Sequence, residues 1–208
     1  MTARKPNDHG QAFPLYIVVV AAMLFAALAF FAVGMAADTR SEAQGAADAA
    51  ALAAAREARD NVFAGLNLVD LKPVDWEKIL GGQRFDVKGA CAEAASFAER
   101  NKATAECEAA LPRFTVSVTT NRTIGESVVP GTGAMHAKAV ATAAIKPLCS
   151  FAPAPTPTST PTPSDGGVPK PDPVTITCDG RGPIELDPQN PGQLSKLARS
   201  LFSVRLVT

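Results

Sequence analysis

The chain has 208 residues, enough for one modest domain with appendages, and its 20 Lys/Arg balance 20 Asp/Glu to a formal net charge of zero. The basic residues are scattered, which argues against a nucleic-acid partner, because phosphate binding needs grouped Lys and Arg.

Residues 1–11 are a short polar tail that includes Arg4 and Lys5. From Ala12 to Ala37 no charged residue occurs, and twelve of the 26 positions are Leu, Ile, Val or Phe. As a helix this stretch spans roughly 39 Å, more than the ~30 Å hydrocarbon core of a bilayer. Each large apolar residue favours insertion by about 0.3 to 0.6 kcal/mol. Pro14 sits where a first helical turn accepts it. A cleaved secretory signal is the alternative, with Gly34 and Ala36 at the cleavage site. The apolar run exceeds the ~7–15 residues of such signals, so a retained anchor is the reading adopted.

Asp38 to about Leu66 reads as helix. Ten of the sixteen residues from Ala43 to Ala58 are alanine, the strongest helix former. Arg56 and Asp60 stand four apart and can pair on its surface. Pro73 then marks a turn into a short helix carrying Trp76, Ile79 and Leu80, with Trp76 as a core anchor. Gly81 and Gly82 break the chain. Ala90 to Arg100 is amphipathic, with Cys91, Ala94, Ala95 and Ala98 on one face.

The period then changes. Arg113 to Thr120 alternates apolar and polar with β-branched residues, and Met135 to Ile145 alternates again and can pair antiparallel with it. Ala103 to Cys107 can add a third strand. Gly125 and the Pro130-Gly131-Thr132-Gly133 run carry turn chemistry, and His136 falls at a surface or edge position. Alternation survives here although alanine is a poor strand former. One face of this sheet must therefore approach its neighbour closely, and an Ala-rich helix suits it.

Residues 151–173 are Pro-, Thr- and Ser-rich and predict an extended linker. Beyond it Val174 to Cys178 reads as a strand, Gln193 to Leu201 as a helix, and Phe202 to Thr208 alternates to the end. The expected division is a tail (1–11), a transmembrane helix (12–37), an extracytoplasmic domain (38–150), a linker (151–173) and a C-terminal segment (174–208). The fold class is α+β, with the anchor helix running on into an Ala-rich helix packed on a small antiparallel sheet.

Four cysteines, Cys91, Cys107, Cys149 and Cys178, all follow the span. None forms a CxxC, and neither histidine lies at metal-ligand spacing from them. An even number on one side of a membrane suggests disulfides and an oxidising compartment, which places the N-terminus in the cytoplasm and residues 38–208 outside. Four buried free thiols are the alternative. Of the three possible connectivities, Cys91 with Cys107 and Cys149 with Cys178 is favoured. The first pair requires a helix break near Asn101, and the second folds the C-terminal segment back onto the sheet.

No GxSxG, SxxK, HExxH, P-loop or GxGxxG occurs in the chain. Asp70, Asp75, Glu77 and Asp86 are unclustered and read as solvated charge. No catalytic, cofactor-binding or metal-binding residue and no small-molecule substrate is expected. Asn121-Arg122-Thr123 has the form of a glycosylation sequon only.

Two stretches carry a resemblance. "GQAFPLYIVVVAAMLFAALAFFAVG", followed closely by "QGAADAAALAAA", resembles the N-terminal region of TadE/TadG-like proteins of tight-adherence (Flp-type) pilus assembly. "ASFAERNKATAEC", "FTVSVTT" and "AKAVATA" more loosely resemble the outer helix and strand pairs of the same group in high-GC Gram-positive bacteria. One departure is Leu15, which stands where Flp-type prepilins carry Glu. The resemblance implies a pilin-like, non-enzymatic cell-envelope component that packs against pilin-like or assembly proteins, or against further copies of itself. Ala22, Ala26 and Gly34 in the span, with Ala47, Ala51, Ala54, Ala55 and Ala58 beyond it, supply small residues for such helix packing. The alternative for the Ala-rich helix is that it packs only on its own sheet. The alternative for the protein is a membrane-tethered module that binds the cell envelope.

Overall fold

A computed structural model of the chain describes residues 12–123, 132–151 and 174–207. The N-terminal tail, the turn residues 125, 130 and 131, and positions 152–173 of the Pro/Thr-rich stretch lie outside them.

Helix α1 runs unbroken over Ala12–Asp60, 49 residues. Its N-terminal half projects from the rest of the chain, and its C-terminal half is the centre of the fold. The helix ends at Asp60 rather than Leu66, because Asn61 to Gly65 fold into turns and Gly65 takes a left-handed φ of +72°. Helix α2, Pro73–Leu80, opens with Pro73 at its first position. The Asp75 carboxylate accepts the Lys72 N–H at 3.2 Å, and Trp76, Ile79 and Leu80 are buried. Gly82 has φ +76°, and a Cβ there would stand 3.0 Å from the Phe85 ring, so the turn into the next helix needs glycine for both reasons.

Helix α3, Val87–Arg100, is capped by Asp86, which accepts the Lys88 N–H. Its inward face is centred on Ala90, Ala94 and Ala98, one step round from the face the sequence suggested. The helix stops at Asn101, whose amide donates to the Phe97 carbonyl at 2.8 Å. Lys102, with φ 55°, swings the chain into strand β1.

Strands β1 (Ala103–Ala110) and β2 (Arg113–Thr123) form a hairpin across Leu111 and Pro112, which are joined by a cis peptide. Strand β3 (His136–Pro147) pairs antiparallel with β2, with an irregularity between Thr119 and Thr123. Short strand β4 (Cys149–Phe151) leads to β5 (Val174–Cys178) and β6 (Ile184–Leu186), a second, three-stranded sheet. Helix α4 (Leu194–Leu201) and strand β7 (Phe202–Val207) follow, and β7 pairs with β3. The main sheet is thus β1-β2-β3-β7, antiparallel throughout.

The alternation read in the sequence is the pleat of this sheet. Phe114, Val116, Val118, Ala143 and Ile145 point to α1 and are buried, while Thr115, Ser117 and Thr142 lie on the other face. Phe202 closes the core edge to face with Phe85, centroids 5.4 Å apart, and Phe63 packs on Trp76 at 5.9 Å. Leu148 links the two sheets to α4: its N–H donates to the Leu201 carbonyl, and its carbonyl accepts from Asp179.

Candidate functional site

The candidate site is α1, because the chain uses its two halves in opposite ways. From Phe13 to Val33 the large apolar side chains are exposed, among them Phe13, Tyr16, Phe25, Phe30 and Phe31. This half is long and apolar enough to cross a membrane. A surface of this size and composition is stable only when lipid or protein covers it.

In the second half the alanines lie inside the protein. Ala43, Ala47, Ala50, Ala51, Ala54, Ala55 and Ala58 have no exposed surface. They face the alanines of α3 on one side and strands β2 and β3 on the other. Methyl side chains on both partners allow the close approach of helix, helix and sheet. The structure therefore brings Ala47, Ala51, Ala54, Ala55 and Ala58 together as core of their own domain. Ala22, Ala26 and Gly34 stay apart from them, exposed on the projecting half, and beyond its own stretch of helix nothing comes within 4 Å of a Cβ built on Gly34.

Two ion-pair clasps fix α1 along the sheet. Near the start of the domain Arg122, at the end of β2, reaches Glu42 at 2.5 Å and Asp38 at 3.8 Å. At the far end Arg199 of α4 grips Asp60 with contacts of 2.7 and 3.1 Å, and Arg59 adds one at 2.8 Å. Partial burial pushes the Asp60 carboxyl upward, but hydrogen bonds from Arg199 and Arg59 outweigh it and hold the group below its ordinary value of 3.8. The same pair raises Arg199. The Asp60 oxygens are thus taken by Arg59 and Arg199 rather than by Arg56, four residues away. Both clasps were invisible in the sequence, since their partners lie 80 and 139 residues apart. Arg199 sits in no motif, and the sequon form of Asn121-Arg122-Thr123 says nothing of a partner for Arg122.

Both disulfides brace the same frame. Cys91 on α3 is bonded to Cys107 on β1, with Cα atoms 5.5 Å apart. Cys149 and Cys178 are bonded directly across the β4–β5 pair. His136 is exposed at the start of β3, and its Nδ1 lies 2.7 Å from the Thr120 carbonyl. The carboxylates Asp70, Asp75 and Asp86 are engaged in local helix caps and turns. Among the described residues no three His, Cys, Asp or Glu side chains gather as a metal cluster would.

No curated protein and no solved structure matches the chain. A family model described as "Putative Flp pilus-assembly TadE/G-like" matches residues 10–57. That match begins two residues before α1 and ends three residues before its last, so it covers the apolar half and most of the alanine half. The similarity to the TadE/G-like Flp pilus-assembly family therefore lies in α1 and covers about a quarter of the chain.

Proposed function

We propose that the protein is a membrane-anchored, non-enzymatic component of a Tad-like (Flp-type) pilus, acting as a minor pilin-like subunit or an assembly factor. One observation carries this reading: the family match and the single long helix are nearly the same segment. The part of the chain that resembles pilus-assembly proteins includes the whole of the half that exposes an apolar surface. Its N-terminal half anchors the chain in the membrane, with residues 1–11 in the cytoplasm and the folded domain outside. Within the span Ala22, Ala26 and Gly34 let another helix approach closely. Beyond it the alanines build the rigid domain that the span carries.

Cell shearing tests the role. Released filaments are separated from membranes, both fractions are blotted for this protein, and filaments are counted on a deletion strain. Signal in filaments identifies a subunit. Signal in membranes alone, with filaments lost on deletion, identifies an assembly factor. A deletion strain with normal filaments and adhesion overturns the reading.

A further inference from the structure

The two edges of the main sheet differ in charge and run in opposite directions. Strand β1 forms one edge and β7 the other, and among the described residues no strand pairs with the outer side of either. On the sheet face away from α1, β1 shows Glu106 and Glu108, both exposed, and no cation. On the same face β7 shows exposed Arg205 and no anion. Neither strand contains a proline or a lysine, and β1 pairs with β2 over eight regular positions without a bulge, so what guards each edge is its charge, negative on β1 and positive on β7, which repels a like edge and admits the unlike one. The Cys91–Cys107 bond pins β1 to α3 and keeps that edge from fraying.

We infer that β7 of one copy pairs with β1 of a second copy, extending the sheet from molecule to molecule. The geometry favours this pairing for copies anchored in one membrane. The sheet has four strands and every pair is antiparallel, so β1 and β7 run in opposite directions. The two clasps, Arg122 with Glu42 and Arg199 with Asp60, show that α1 runs along the strands. A neighbouring copy in the bilayer therefore offers β1 to β7 with opposite chain direction, the sense an antiparallel pair needs, and the join absorbs the sheet's twist of about 20 to 25° per strand. Rows across the sheet place Arg205 level with Ala110, through Ala144 and Arg113, and Val207 level with Glu108. Side by side, Arg205 thus lies diagonal to Glu108 of the next copy, about 7 Å away and within reach of these long side chains. The contact joins unlike surfaces, so it propagates rather than closing as a two-fold dimer does.

This inference rests on the anchoring half of the proposed function and not on a role in pili. Its test uses the full-length protein in liposomes, crowded and then treated with a short amine cross-linker. Wild type should give a ladder of dimers, trimers and higher species. Glu108→Arg alone and Arg205→Glu alone should each cut the cross-linked fraction about tenfold, since each sets like charges on one diagonal across the join. The double variant, with the charges exchanged, should restore the ladder. Equal ladders in all four proteins, a wild type that stays monomeric, or no rescue in the double variant would overturn the inference. Each of those results would leave the filament assay unaffected.

Discussion

Asp60 shows how a single residue holds two distant parts of the chain. It ends α1, and its partner Arg199 stands in the last helix. Because Arg199 is well exposed, solvent screens the pair and keeps its contribution small. The sign of its pH dependence follows from the lowered Asp60 carboxyl. A group whose folded pKa lies below its unfolded value stabilises fully above the unfolded value and loses that contribution as pH falls through the folded one. Asp60→Asn should therefore lower the melting temperature by a few degrees at neutral pH. The difference from wild type should shrink below pH 3.8 and vanish in stronger acid. A gap that persists or widens in acid would show that the loss comes from packing and not from the charge.

Along the element α1, side-chain size should matter in one half and hardly at all in the other. Ala54 has no exposed surface, with α3 and the sheet on either side, so Ala54→Leu must push one of them away. Overpacking of this kind costs about 1 to 3 kcal/mol. Ala22→Leu, on the exposed half, should leave the domain's melting unchanged. Thermal melts in detergent, followed by tryptophan fluorescence from Trp76, distinguish the two. If both variants melted like wild type, the alanine half would not be the core. Much of this was legible in the sequence. An alternating period built partly from alanine made sense only if the sheet had a slim neighbour, and ten alanines in sixteen residues supplied one. The strands of the main sheet and all four helices were readable because each holds its period for five residues or more. Strands β4 and β6 were not, since three residues set no period. The side-by-side placement of β3 and β7 was also hidden, because nothing local encodes a pairing across more than fifty residues.

For the whole molecule, the continuity of α1 has a mechanical consequence. No break separates the apolar half from the alanine half, and Arg122 braces the crossing by holding Asp38 and Glu42. The domain is therefore a rigid extension of the apolar half rather than a body on a tether, and any force on the domain passes directly into that half of the helix. Such a design is useful only if the domain lies on the side where its contacts are made. Both disulfides belong to the domain side of the helix, and disulfides persist in oxidising compartments. A tag fused before Met1 should survive protease treatment of wall-stripped intact cells, and a tag after Thr208 should be digested. Alkylation under denaturing conditions should find no reactive thiol until the sample is reduced. If the C-terminal tag were protected and the thiols already free, the domain would sit in the cytoplasm. A filament on the cell surface could not then include it, and the β1–β7 contact would have to form on the inner face.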